Sequence, residues 1–399
     1  MKKVLNNLKY LKLKDLFSPL ILVLMLPIVL VYRIYLKISK KEIWLICERK
    51  DTASDNGYPL FKYIRENHPE VNVYYAIDKK CKDYQKVKPY GNIIQYGGFK
   101  HWLYYLSAKK NISTQKSGNP APALFYVLHV YRILRSKRIF LQHGIIKDDL
   151  KFVYYNTCKF DLFVTSAKPE YEYVKEKFGY PEGVVQYLGL ARMDIFQQAK
   201  VNPKQIVIMP TWRQYLAREQ NILGNNQEFT KTDYFQKYSQ LINNQDLINY
   251  IEKNEILVYF YPHSNMQKYI KHFNAGSSNI KIVENNSKDI QELLTESALL
   301  VTDYSSVAMD FAYMKKPLIY YQFDYEEFRS NQYAEGFFSY KRDGFGPVIE
   351  EETELVNKII DYAENKFKNE EKYQKRHQAF FPLYDANNSQ RNYEAILKL

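Results

Sequence analysis

Residues 299–322 read LLVTDYSSVAMDFAYMKKPLIYYQ, and this stretch decides the class of fold. LLVT is a short apolar run with β-branched residues, the composition of a buried strand. Asp303 closes it, and Ser305 and Ser306 follow as helix N-cap residues. SVAMDFAYMKK then has helical spacing, and PLIYYQ is a second buried strand. A strand, a polar corner, a helix and another strand make one unit of a parallel α/β sheet.

The same alternation extends in both directions. QIVIMPTW (Gln205–Trp212), ILVYFYPH and NIKIVE supply further strands of this sheet. Upstream of a break near Val201–Lys204, EIWLICE (Glu42–Glu48), VNVYYAI (Val71–Ile77), NIIQYG, NISTQ, RIFLQHG and LFVTSA form an equivalent series. The expected fold class is therefore α/β, with two Rossmann-like domains facing a cleft: 41–200 and 201–380. Residues 1–40 stand apart as a membrane-associating segment, and 381–399 form a C-terminal helix packing back on the first domain. Arg218–Asp233, rich in Asn and Gln, reads as an exposed insertion. No G-x-G-x-x-G or Walker A sequence occurs, which argues against a nicotinamide enzyme or a P-loop ATPase.

Composition narrows the function. The 399 residues are 46% hydrophobic and 25% charged, which excludes a disordered chain. The net charge of +13 calls for an anionic partner: nucleic acid, a membrane surface or a phosphorylated substrate. Helix-turn-helix, zinc-finger and RNP1 patterns are absent, so nucleic acid is not expected. Cys47, Cys81 and Cys158 show no metal or disulfide spacing, and no metal or cofactor is expected.

At the N-terminus, Lys2, Lys3, Lys9, Lys12 and Lys14 precede the apolar run PLILVLMLPIVLVY (19–32), and Arg33, Lys37, Lys40 and Lys41 follow it. Three readings stand: a signal peptide, a short spanning anchor, or an interfacial helix or hairpin bent at Pro19 and Pro27. No small-residue cleavage site follows the run. The two anchor readings expect an anionic membrane surface as partner.

Ligands of open α/β sheets bind beyond the carboxyl ends of strands, and four such ends carry unusual polar groups. His143 follows RIFLQ; an imidazole there could accept a hydroxyl proton, with Asp148 or Asp149 as its orienting carboxylate. Pro210, Thr211 and Arg213 end the strand of MPTWR, where the guanidinium offers a phosphate-binding fork. His263 ends FYPH. Asp303, Ser305 and Ser306 form the fourth corner, where free helix amides favour phosphate. Each also has a plain structural reading: a buried turn, a satisfied histidine, a helix cap.

Taken together, His143–Gly144, PTWR (210–213), Pro262–His263 and TDYSS…DF (302–306, 310–311) with Lys316–Pro317 resemble the CDP-glycerol glycerophosphotransferases of teichoic-acid synthesis. DNGYPLFKYI (55–64), TSAKPEYEYV (165–174) and GLARMD (189–194) add to the match, which covers roughly residues 45–385 in order. The resemblance implies a GT-B-like fold and monotopic attachment at the cytoplasmic face of the cell membrane. It implies a CDP-polyol donor, glycerol or alternatively ribitol, with a nucleotide-sugar glycosyltransferase as a further alternative. It implies a lipid-linked saccharide or polyol-phosphate acceptor, His143 as base, and Arg213, His263, Ser305 and Ser306 on the diphosphate. Relatives often read W-H-G-T-P where this chain has QHGII, a departure in the loop expected to face the acceptor.

Overall fold

The computed structural model describes residues 13–116, 118–218, 229–285 and 287–399. The basic cluster from Lys2 to Lys12 and most of the polar stretch after Arg218 lie outside the described residues. The chain forms two compact units. The first runs to Ile145 and takes in Lys151–Asp194 and Leu383–Leu399; the second is Ile195–Pro382 together with Ile146–Leu150.

The first unit is built on seven parallel strands: β1 (Trp44–Ile46), β2 (Val73–Ile77), β3 (Ile93–Gln95), β4 (Lys110–Ser113), β5 (Lys137–Phe140), β6 (Leu162–Thr165) and β7 (Val185–Tyr187), in the order β3-β2-β1-β4-β5-β6-β7. The order reverses between β1 and β4, the doubly wound arrangement. The strands are short, and the interior strands β1 and β6 are wholly buried, as strands covered on both faces must be, while β3 and β7 at the two edges are only partly so. Within this sheet the sequence pattern does not mark β7, because VVQY lacks an apolar run long enough to stand out; it does not mark the two-residue last strand of the second sheet, Val348–Ile349, either.

The second unit has six parallel strands: β8 (Asn202–Met209), β9 (Leu257–Phe260), β10 (Ile280–Ile282), β11 (Ser297–Thr302), β12 (Leu318–Tyr321) and β13 (Val348–Ile349), in the order β10-β9-β8-β11-β12-β13. Its switch point lies between β8 and β11. Those two strands are followed by the PTWR and DYSS corners. Lys316 of the KP pair is buried, and its ammonium donates to the carbonyls of Leu294, Thr295 and Ser297 at 2.5, 3.0 and 2.7 Å. It thus closes the end of the helix Ile290–Glu296 that leads into β11.

The apolar N-terminal run is one helix, α1 (Leu13–Ile38), with Pro19 and Pro27 inside it. It is neither bent into a hairpin nor detached. Ser18, Met25, Val29 and Leu36 are buried, with Leu22 and Tyr32 partly so, a 4-3-4-3-4 spacing that makes one helical face. That face packs on α2 (Phe99–Ser107) and α3 (Pro122–Val130), where Tyr32 stacks on Tyr104 and the Arg33 guanidinium donates to the Leu106 carbonyl. The uniformly apolar sequence hid this period. Leu16–Ile38 is long and apolar enough to cross a membrane, and Leu16, Phe17, Leu20, Val23, Leu24, Leu30, Val31 and Ile34 are exposed.

The C-terminal helix α4 (Asn388–Leu397) belongs to the first unit. Asp194 of the GLARMD stretch holds its start: the amides of Asn388 and Ser389 donate to its two oxygens at 2.8 Å each, an acidic cap on a helix N-terminus.

Candidate active site

His143 sits just past β5, and the residue before it is strained. Gln142 takes φ 63°, a left-handed conformation that costs a non-glycine residue energy and recurs at functional sites. The Gln142 side chain is locked there, donating to the Val164 carbonyl at 2.5 Å and to buried Glu170 at 3.1 Å. The carbonyls of Leu141 and Gln142 both accept from the Asn56 amide. The corner that carries His143 is therefore fixed on both sides.

The imidazole itself is accessible, with 61% of its side chain exposed. Its Nδ1 lies 2.5 Å from Asp55 Oδ2. An ionised carboxylate can only accept, so Nδ1 carries the proton and Nε2 offers a lone pair. The other Asp55 oxygen accepts from Arg192 at 2.8 Å, and the same guanidinium nitrogen donates to the His143 carbonyl at 2.7 Å. Burial alone would raise the Asp55 pKa, but the charges of His143 and Arg192 outweigh it and hold the carboxyl below its usual range.

Glu48, just past β1, shapes the Asp55 loop. Its carboxylate accepts from the amides of Ser54, Asp55 and Tyr58 at 2.8–3.2 Å. Burial and the neighbouring Asp55 push its pKa up to about 8. Gly57 permits this approach, since a Cβ there would stand 2.8 Å from Glu48 Cγ.

The carboxylate on the histidine is thus Asp55, not Asp148 or Asp149. Asp148 belongs to the second unit, where its oxygens pair with Lys147 at 2.5 Å and Arg329 at 2.6 Å. The Asp149 amide bonds to the Ala334 carbonyl. Sequence proximity could not offer Asp55, and the loop after His143 carries Asp148 and Asp149 into the other unit. The usable signals were the DNG and GLARMD stretches, whose Asp55, Asn56 and Arg192 converge on His143 from 88 residues upstream and 49 downstream.

In the second unit the strand-end groups come together at the rim around the β8/β11 switch point. The His263 amide donates to the Pro210 carbonyl at 3.2 Å, and the Thr211 amide to Asp303 Oδ1 at 2.8 Å. Gln322 past β12 donates to the Asp303 carbonyl. Trp212 stacks beside His263 at 6.2 Å between ring centroids. The His263 Nδ1 accepts from the Asn265 amide, which assigns the ring proton of the neutral form to Nε2. Ser305 and Ser306 are half-exposed; Ser305 Oγ accepts from the Val307 amide at 3.4 Å, while Ser306 makes no side-chain cap. The buried Thr211 hydroxyl has no hydrogen-bond partner among the described residues.

Arg213 and Asp303 play a different part from the one expected of them. Arg213 has no exposed side-chain surface. Its Nε and Nη2 grip Asp324 at 2.6 and 3.0 Å, and Nη1 reaches Asp303 at 2.9 Å and the Thr211 carbonyl at 2.8 Å. Tyr234, Tyr304 and Phe328 enclose it. This guanidinium ties β8, β11 and the segment past β12 together and has no fork to spare for a diphosphate.

A family model described as CDP-glycerol:poly(glycerophosphate) glycerophosphotransferase matches residues 28–398. The chain belongs to that family. Among individual relatives, the minor teichoic acid biosynthesis protein GgaB of Bacillus subtilis is 37% identical over 93% of this chain. The teichoic acid poly(glycerol phosphate) polymerase of Bacillus spizizenii is 22% identical over 92% of this chain and 95% of its own length. The chain spans only about two fifths of GgaB, 41% of its length. Among solved structures, the wall teichoic acid polymerase TagF superposes with a TM-score of 0.66, covering 97% of both chains at 16% identity. That likeness establishes the shared two-sheet α/β fold.

Proposed function

We propose that this chain transfers glycerol phosphate from CDP-glycerol to a hydroxyl of a lipid-linked or polymeric teichoic-acid or capsule precursor, releasing CMP. The observation that carries the reading is the Asp55–His143–Arg192 constellation, set at a strand end in a chain that matches the family along nearly its whole length. The fold likeness to TagF supports a GT-B reading of the two sheets.

In this mechanism Asp55 fixes the imidazole tautomer, and His143 Nε2 takes the proton of the acceptor hydroxyl. The hydroxyl oxygen bonds to the phosphorus that bears the glycerol. The bond from that phosphorus to the bridging oxygen breaks, and CMP departs with its electron pair. Phosphoryl transfer is governed by positioning and charge neutralisation. His263, Ser305, Ser306 and the Thr211 hydroxyl are the donor-side groups proposed to meet the diphosphate, on a rim made rigid by Pro210, Asp303 and Arg213.

A donor panel of CDP-glycerol, CDP-ribitol and UDP-sugars, scored by CMP or UDP release with a lipid-linked acceptor, tests the assignment. CDP-glycerol is expected to be used best; release of UDP alone would overturn the reading. His263→Ala is expected to reduce kcat/KM for CDP-glycerol by roughly ten- to a hundredfold, the worth of one charge-assisted contact. Wild-type kinetics in that variant would remove His263 from the donor site.

The outer face of α1 is proposed to lie in the cytoplasmic interface of the membrane. Its inner face is taken by α2 and α3, so lipid reaches one side of the helix, as in an interfacial rather than a spanning segment. Leu24→Ser with Val31→Ser is expected to cut partition onto anionic vesicles by about a hundredfold, with Tm unchanged. Undiminished vesicle binding would place the anchor elsewhere. Deleting residues 1–40 is the poorer test, because it would uncover Trp102, Leu103, Leu106 and Phe125.

A further inference from the structure

The second unit holds a cationic cluster that the reaction described above does not use. Lys147 and Arg329 share a single carboxylate, Asp148, through its two oxygens at 2.5 and 2.6 Å. Lys147 and Asp148 are each 5% exposed, and the Arg329 side chain is 11% exposed. Burial alone would raise the Asp148 pKa, but Lys147 and then Arg329 outweigh it and hold the carboxyl below its usual range. The cluster therefore carries a net charge of one positive unit in a largely water-free place, an arrangement that is costly unless an anion completes it.

The donors point the same way. Nε and Nη2 of Arg329 have no hydrogen-bond acceptor among the described residues, and neither has the hydroxyl of Tyr340, a residue only 3% exposed. Tyr325 lies against the guanidinium, 5.4 Å from ring centroid to Cζ, and its hydroxyl interacts with it, yet Nε and Nη2 make no well-formed hydrogen bond to the described residues. Buried donors are nearly always paired in folded proteins, and an orphan calls for an explanation. Here three orphan donors belong to two side chains in contact: Arg329 Cζ is 5.8 Å and Lys147 Nζ 5.4 Å from the Tyr340 ring centroid.

The cluster is also held in place. Gly336 lies so close to the 147–148 backbone that a Cβ would stand 2.3 Å from the Lys147 carbonyl oxygen, and the Asp149 amide bonds to the Ala334 carbonyl. On its other side, Tyr340 meets Tyr304 edge-on at 6.0 Å, and Tyr304 stacks on Phe328 at 3.8 Å. Tyr304 is the residue before Ser305, so the cluster borders the DYSS corner. In sequence, Lys147 follows His143 by four residues.

We propose that Lys147, Arg329 and Tyr340 form an oxyanion subsite that takes a phosphate group, distinct from the His263–Ser305–Ser306 groups. A fork of guanidinium N–H groups, an ammonium and a phenol match the several acceptor oxygens of one phosphate. The identity of its carrier, the donor diphosphate or a phosphodiester of the acceptor, rests on the phosphoryl-transfer reading; the subsite itself does not.

Two variants test it. Tyr340→Phe removes only the orphan hydroxyl, and Arg329→Lys keeps a cation for Asp148 while removing the orphan nitrogens. Inorganic pyrophosphate titrated onto the full chain is expected to bind about ten- to a hundredfold more weakly to each, at wild-type Tm. A parallel loss of CDP-glycerol affinity assigns the phosphate to the donor, and a rise confined to the acceptor KM assigns it to the acceptor. Pyrophosphate affinity, CDP-glycerol affinity and acceptor KM all at wild-type values in both variants would overturn the subsite. Arg329-dependent pyrophosphate binding in a chain that releases no CMP from CDP-glycerol would remove the proposed reaction and leave the subsite standing.

Discussion

His143→Ala is expected to lower CMP release by about 10²–10⁴, the usual worth of a positioned base, while CDP-glycerol affinity and Tm stay at wild-type values. The histidine is 61% exposed and bonds through Nδ1 to one partner, Asp55, so little of the first unit's packing depends on it. Its removal should therefore separate chemistry from binding. Asp55→Asn should act in the same direction, since an amide can present a donor to Nδ1 and leave the proton on Nε2, the wrong tautomer for a base. The Asn variant also weakens the Arg192 contact, so its Tm should fall where that of His143→Ala does not. Calorimetry of CDP-glycerol binding beside turnover reads both effects. Normal turnover in His143→Ala would exclude it as base; a joint loss of donor affinity, Tm and turnover would show a structural residue.

The sequence made the sheets legible because their strands are short, apolar and closed by polar corners. QIVIMPTW and LLVTDYSS cover the ends of β8 and β11, on either side of the switch point, so the strand pattern alone located the rim of the second sheet. It could not say which corner residues face a ligand. Arg213 and Ser305 look equally available in a string of letters, yet one is enclosed by three aromatic rings and two carboxylates and the other is half-exposed. Partners at long range were illegible for the same reason: Asp55 reaches His143 across 88 residues, whereas Asp148, five residues away, turns into the second unit. The helix α1 shows the converse failure. Where every residue is apolar, no period survives to reveal that one face is packed.

Arg213→Ala is expected to unfold or loosen the second unit before it touches donor recognition. Removing one partner of a buried ion pair costs about 3–5 kcal/mol, because the remaining charge stays desolvated and unpaired. Here two carboxylates would be stranded, Asp303 and Asp324, both held within 3.0 Å of the guanidinium. Burial by itself would lower the Arg213 pKa, but Asp303 and Asp324 drive it well above its usual value, so the pair stays ionised. At roughly 2–4 °C per kcal/mol for a unit of this size, the transition should drop by roughly 6–20 °C. CDP-glycerol binding measured well below that transition should then be weakened only as far as the β8 and β11 corners loosen. Adding Asp324→Asn to Arg213→Ala removes one stranded charge and should recover part of the loss, a coupling that a ligand-binding arginine would not show. A variant with wild-type Tm and no affinity for CDP-glycerol would return Arg213 to the diphosphate.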